Sequence, residues 1–316
     1  MICPVNSKSK WKRSADDDLI ALTTGSGPFY VKKEILESIV HGVRNREVIH
    51  LSGGTGTGKS TLGNILPRNW RSLCSNMGMD YQSLKVFTIP LVHYQGPDEL
   101  FTRRAIAENR TLDEDQPPLK AAKEAMSLND DHDIIMWFQE LGRTHTSVQH
   151  ALVTSFLNDQ VYDHRGQNLG SLNACILMDS NYQDREGGNY LLHDLDGALQ
   201  SRFTLQLTLG YLEMQREKEI LRKMISIPEE ELGRLLDFTH FLRAKKQEGE
   251  YKSVPFPTFR QYKALGRWVR RPRYQIKAAI TTIFFGGASV SEKNGLVQVL
   301  NQYFKDVDSD SSTKTS

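Results

Sequence analysis

Short apolar runs alternate with longer segments of helical period up to residue 209, and only helical-period segments follow. Phe29 to Val43 sets Phe29, Ile35, Ile39 and Val43 on roughly one side of a helix. Val48-Ile49-His50-Leu51 reads as a short strand. A glycine-rich loop comes next, and Thr61 to Leu66 begins a helix that Pro67 interrupts or bends. Leu84 to Leu91 supplies a second strand, and Pro97 to Leu100 is a turn entering a helix. Asp113 to Pro118 is a polar loop, and Leu119 to Met126 is helical. Asp133 to Phe138 is strongly apolar between polar flanks, which fits a strand buried on both faces. Val148 to Leu157 is helical, and Val161-Tyr162 starts a small hairpin closed near Gly166. Ala174 to Met178 is a further buried strand, Leu191 to Gln200 a helix, and Phe203 to Leu209 an alternating strand.

Strands interleaved with helices predict an α/β fold, a parallel sheet covered on both faces. Beyond Gly210 the helical segments are Glu213 to Ile225, Pro228 to Lys246, Thr258 to Val269 and Tyr274 to Phe285, with no strand among them. The expected organisation is a polar leader over 1–24, a large αβα domain over 25–209 and a small all-helical domain over 210–290. A C-terminal helix and a disordered polar tail take up 291–316. No internal repeat is evident.

The loop after the first strand is the most informative segment. Gly53-Gly54-Thr55-Gly56-Thr57-Gly58-Lys59-Ser60-Thr61 contains GxxxxGK[ST] without a gap, after a strand and before a helix. Glycines let backbone N–H groups converge on phosphate oxygens. Lys59 reaches the outer phosphates, Ser60 ligates magnesium, and Thr61 contacts the inner phosphate. The pattern implies ATP or ADP with Mg2+. The buried strand that starts at Asp133 ends in Gln139-Glu140. A carboxylate at such a strand end orients and deprotonates water attacking a γ-phosphate, which makes Glu140 the candidate base. Gln139 stands in the metal-facing place, where an amide holds a metal-bound water without adding charge.

Composition changes this picture little. The chain has 316 residues, 39% hydrophobic and 25% charged, with net charge +2, which argues neither for nor against nucleic acid. Cys3, Cys74 and Cys175 are too far apart for a zinc motif, and Cys175 lies in an apolar run. Unpaired cysteines point to a reducing, cytoplasmic setting. No apolar stretch reaches membrane-spanning length, and the basic start of the chain runs into Asp16-Asp17-Asp18 rather than an apolar core.

With these residues in place, the chain resembles the AAA+ ATPases, and within them the MoxR-like branch. The resemblance covers roughly residues 30–285. It is carried by Glu140-Leu141-Gly142-Arg143 after the strand, Val148 to Leu152, Phe156 to Val161, Gly96 to Leu100 and Pro118 to Ala122. It implies that Asn181, after Ile176-Leu177-Met178-Asp179-Ser180, takes the sensor 1 place beside the attacking water. It also implies that Arg202, in Ala198-Leu199-Gln200-Ser201-Arg202-Phe203, is an arginine finger acting on a neighbouring subunit. Arg260, after Pro257-Thr258-Phe259, matches the sensor 2 place, with Thr258 as N-cap.

Three functions stand open at this level. One is a homo-oligomeric, hexameric ring ATPase that remodels a protein partner. Another is a nucleic-acid-associated ATPase, suggested by Arg267, Arg270, Arg271, Arg273 and Lys277 interleaved with Trp268 and Tyr274. A solvated or intersubunit face explains that patch better, given the balanced charge. The third is a nucleotide-gated scaffold with little turnover, suggested by Gln139.

Overall fold

The structure is a computed structural model that describes residues 18–25, 27–107, 110–128, 131–158, 160–163, 165–181, 195–251, 253–255, 257–270 and 275–304. These fall into two compact units. The first takes in 18–54, 58–181 and 195–209, and the second 55–57 and 210–304.

The first unit opens with an antiparallel hairpin, β1 (Leu19–Thr24) and β2 (Gly27–Lys32), followed by helix α1 (Lys33–Arg44). The hairpin replaces the end of the polar leader and the start of the helix that the sequence predicts here. Ile20 and Leu22 on one strand and Val31 on the other are buried, so the local period is two. Ile35, Ile39 and Val43 are buried along α1, as the helical pattern predicts.

The remaining elements are β3 (Val48–Gly53), α2 (Lys59–Asn76), β4 (Ser83–Pro90), β5 (Thr102–Ala107), β6 (Arg110–Asp115), α3 (Pro117–Ser127) and β7 (His132–Gln139). Then come α4 (Thr146–Ser155), β8 (Val161–Tyr162), β9 (Asn168–Gly170), β10 (Cys175–Asn181), α5 (Gly197–Gln200) and β11 (Leu205–Leu209). Some details differ from expectation. Pro97–Leu100 is a single 3-10 turn leading into the β5–β6 hairpin rather than a helix, and Asp113 to Asp115 belong to β6. Helix α2 runs on through Pro67. An interior proline costs about 3 kcal/mol. Burial of Leu62, Ile65, Leu66, Trp70 and Leu73 on the same helix, at about 1.5–3 kcal/mol each, outweighs it. Of the helix expected over Leu191 to Gln200, α5 covers the last turn, and 191–194 lie outside the described residues.

Five strands form one parallel sheet in the order β11-β3-β10-β7-β4. Alternation along the two central strands divides the core. Ile134, Met136, Phe138, Ile176 and Met178 join buried residues of α3, α4 and α5 on one face. Ile135, Trp137, Cys175 and Leu177 join those of α1 and α2 on the other. This is the αβα core of a P-loop NTPase, and an all-helical unit follows it, as the sequence predicts. Among the described residues no helix is long and apolar enough to cross a membrane. Cys74 and Cys175 are buried free thiols, and Cys3 lies outside the described residues.

The second unit contains α6 (Met214–Met224), α7 (Glu229–Gln247), α8 (Phe259–Val269), α9 (Ile276–Phe284) and α10 (Val290–Tyr303) around its own apolar core. A buried ion pair ties three of its segments together. Glu217 on α6 is 1% exposed and accepts both terminal nitrogens of Arg243 on α7, at 2.6 and 2.7 Å. Arg243 also donates to the carbonyl of Pro257, ahead of α8, and His240 bonds Glu217 at 3.0 Å. Burial alone would raise the pKa of Glu217, but the bonds from His240 and Arg243 prevail and hold it below the ordinary range.

Removing one partner of such a pair leaves a buried charge unmatched. Glu217→Gln is expected to destabilise the second unit by about 3–5 kcal/mol, read from its denaturation midpoint. Because the folded-state pKa is depressed, the pair's contribution is complete above pH ~4.3 and declines as pH falls below that. Melts between pH 7 and 3 should show this decline in wild type and a flatter profile in Glu217→Gln. Equal midpoints for the two proteins at pH 7 would exclude a structural role for the pair.

Candidate functional site

The carboxyl end of the parallel sheet gathers the polar residues of the first unit. Strand β3 ends at Gly53 and α2 begins at Lys59. Gly58, just before the helix, has φ 99°, and a Cβ there would lie 2.5 Å from the Phe29 ring. Both the left-handed backbone and the ring next to it restrict this position to glycine. The first N–H groups of α2 have no partner within the helix and point along its positive end, the arrangement that favours an anion. Ser60 and Thr61 are exposed on this first turn.

Lys59 is 7% exposed and lies over the loop. Its Nζ donates to the carbonyls of Gly53 and Gly54, at 2.7 and 3.1 Å, and to Asn181 Oδ1 at 2.9 Å. Burial pushes its pKa down to about 8, against the opposing pull of Asp179 and Glu140. Asn181 is the last residue of β10 and pairs in register with Gly53. Because β10 lies between β3 and β7, the strand order itself brings Asn181 to the lysine.

Glu140 stands just past the end of β7 with φ 61° and ψ 41°, a left-handed conformation uncommon for a non-glycine residue. Its N–H donates to Asp179 Oδ1 at 3.1 Å, and its Oε2 accepts from Arg143 Nη1 at 2.8 Å. Gln139 ends β7 opposite Pro90 of β4. Asp179 is 3% exposed, and its other oxygen accepts the Trp137 indole N–H at 2.8 Å. Burial raises its pKa, opposed by the Glu140 N–H, Lys59 and the Trp137 bond. The sequence pattern assigns Asp179 no role. The available signal was an acid inside an apolar strand, since a charged side chain is almost never fully buried without a partner.

On the other sheet face, His50 of β3 bonds Ser180 Oγ at 2.7 Å and stacks on Phe203 at 4.6 Å. Burial takes its pKa down to about 4, so the ring is neutral. Arg202 is exposed and precedes β11, whose register runs from Leu205 beside Ile49 to Leu209 beside Gly53. It therefore lies at the opposite end of the sheet from Lys59, Glu140 and Asn181. In the second unit, Arg260 is exposed in the first turn of α8, and Thr258 caps that helix in a capping box with Gln261. Of the basic segment, Arg267 and Arg270 are exposed, while Trp268 packs against the core of the unit. Arg271, Arg273 and Tyr274 lie outside the described residues.

The loop suits a nucleotide polyphosphate: a buried cation crosses it, glycine is required at Gly58, and the first turn of α2, whose N–H groups have no partner within the helix, closes its end. Among the described residues no group of three or more His, Cys, Asp or Glu side chains could hold a metal. Ser60 and Gln139 offer neutral oxygens only, which suits a magnesium ion held chiefly by phosphates and water.

No family model matches this chain, and no curated protein matches it. Among solved structures, a candidate ATPase from Cytophaga hutchinsonii is similar to it at 15% identity and a TM-score of 0.39, over 86% of this chain and 89% of that one. The fold assignment rests on the sheet order and the strand–loop–helix turn, to which a likeness at this level adds nothing.

Gly63 is the close contact that seats α2 on β7. A Cβ there would lie 2.1 Å from the Trp137 ring, which is fully buried. Gly63→Ala is expected to destabilise the first unit by about 1–3 kcal/mol through overpacking. Chemical denaturation would measure it, and an unchanged or higher midpoint would show that the ring can yield.

Proposed function

We propose that this chain is an ATPase, and that the loop from Gly53 to Thr61 binds the phosphates of ATP with magnesium. The observation that carries the reading is Lys59, buried across a glycine loop at a helix start and bonded to Asn181 at the end of the neighbouring strand. In this reading the loop N–H groups and Lys59 hold the β- and γ-phosphates. Ser60 and Gln139 are the residues that would hold magnesium, which when bound offsets phosphate charge. Glu140 has one oxygen engaged by Arg143, and Oε1 is the atom that takes the proton of the attacking water. Asn181 accepts from Lys59 through Oδ1, so its amide NH2 is the group it offers to the γ-phosphate.

The finer reading is a MoxR-like AAA+ ATPase, working in a reducing cytoplasm as a hexameric ring that remodels a protein partner. Arg202 then supplies a guanidinium to the neighbour's γ-phosphate, and Arg260 links nucleotide state to the angle of the helical unit. The position of Arg202 supports action in trans, because the length of β11 separates it from its own loop. A head-to-tail contact of this kind closes into a ring when its rotation fits. The neutral Gln139 favours a second reading, a nucleotide-gated scaffold with little turnover.

Two measurements test the site. Lys59→Ala should weaken ATP binding strongly in calorimetry, and equal affinity would remove the phosphate-loop assignment. Glu140→Gln should keep binding and slow single-turnover hydrolysis by about 10²–10⁴-fold, the usual range for a general base. Rapid turnover in Glu140→Gln would move the base elsewhere, and a wild type that binds without turning over would leave the scaffold.

The ring reading has its own test. Arg202→Ala keeps its pocket and Lys59→Ala keeps its finger, so each alone should be nearly inactive. The finger is expected to be worth ~10³–10⁵ in rate. Mixing them should restore part of the hydrolysis, since some interfaces then join a good pocket to a good finger. Wild-type turnover by Arg202→Ala alone, or no recovery on mixing, contradicts action in trans.

A further inference from the structure

We propose that Asp179 is a positioning residue for hydrolysis, which holds Glu140 in the backbone conformation that presents its carboxylate to the water. The inference rests on the reading of Glu140 as the group that activates water. It begins with the backbone. Glu140 is a non-glycine residue at φ 61° and ψ 41°, and residues in this region persist only where their surroundings fix them. The Glu140 N–H is held by Asp179 Oδ1 at 3.1 Å, a bond strengthened by the acceptor's charge.

Asp179 is itself fixed. Its Oδ2 accepts the indole N–H of Trp137 at 2.8 Å, and that indole is fully buried. Trp137 lies against Gly63, where no larger residue fits without displacing the ring. Rotation of the carboxylate away from Glu140 would therefore strand a buried indole donor as well as the Glu140 amide. Glu140 is thus tied from β10 through its backbone, while Arg143 orients its side chain.

Charge points the same way. Gln139 brings none to the strand end. Asp179 and Glu140 both attract the Lys59 ammonium, so Asp179 helps keep the lysine charged in a buried place. Its oxygens are engaged by Trp137 and Glu140, which makes it a support for the neighbouring groups rather than a base.

The test separates a positioning role from a merely structural one. ATP binding and single-turnover hydrolysis are measured for wild type, Asp179→Asn, Glu140→Gln and the double variant, with thermal melts as a folding control. Asp179→Asn should slow the chemical step at saturating ATP on the order of 10²-fold, the scale of a small misplacement of a reacting group, a larger effect than the weaker ATP binding that follows from its lost pull on Lys59. In the Glu140→Gln background the same substitution should cost less than about threefold, because what Asp179 positions is already gone. A wild-type rate in Asp179→Asn overturns the proposal, and so does an equal loss in both backgrounds. If Glu140→Gln itself turns over like wild type, the base assignment fails, and the role of Asp179 fails with it. Should Asp179→Asn not fold, Trp137→Phe takes its place, since it frees Oδ2 and keeps the acid. It should slow the chemical step about tenfold with Glu140 present and hardly at all without it. Equal losses would again overturn the proposal.

Discussion

Burial of a carboxylate at the end of an apolar sheet is the constraint on which the site depends. An acid taken out of water must be paired or bonded, or it gives up its charge. Asp179 meets that requirement with a donor from Trp137, near the end of β7, and another from Glu140, just past it. Satisfying one buried group therefore fixes how β10 lies against the exit of β7. The next residue but one on β10, Asn181, then arrives at Lys59.

A second carboxylate does the same at the opposite end of β7. Asp133 accepts the Trp70 indole N–H at 2.7 Å and pairs with Arg44 at 3.2 Å. Gly63 and Trp70 are seven residues apart on α2, two turns on one face, or about 10 Å. Asp133 and Trp137 are four residues apart on one face of β7, about 13 Å. The two spacings nearly match, so the helix meets the strand at both places, with Gly63 at Trp137 and Trp70 at Asp133. A helix seated at two points has little freedom to slide, and Lys59 stands at its first turn. This is also why α2 tolerates Pro67: the contacts that hold it lie on either side of the proline.

What the sequence disclosed was what depends on neighbours along the chain. The glycine-rich loop is legible because its glycines, lysine and serine lie within a few residues of one another between a strand and a helix. The buried strands are legible because Asp133 to Phe138 and Ala174 to Met178 have few polar positions to place in water. The β1–β2 hairpin was missed because Phe29-Tyr30-Val31 and the start of α1 make one apolar pattern, and only pairing with Leu19–Thr24 breaks it. Asp179 was missed as a functional group for a similar reason. Its partners lie 39 and 42 residues earlier in the chain, so the one local signal, an acid in an apolar strand, does not tell which groups it serves.

The same geometry gives a physical account of the neutral residue Gln139. Along β7, Ile135, Trp137 and Gln139 alternate onto the face covered by α2. Asp179 and Glu140 already bring two carboxylates to that end of the sheet. Lys59 is the cation they share, and Glu140 pushes the pKa of Asp179 upward. A third carboxylate at position 139 would raise that repulsion and favour protonation of the most deeply buried member, Asp179. Protonated, Asp179 would lose the charge that strengthens its hold on the Glu140 N–H. An amide at this position adds no such repulsion. With Gln139 neutral, the buried acid at this end of the sheet lies one strand over, at Asp179, where it also bonds the backbone of the neighbouring glutamate.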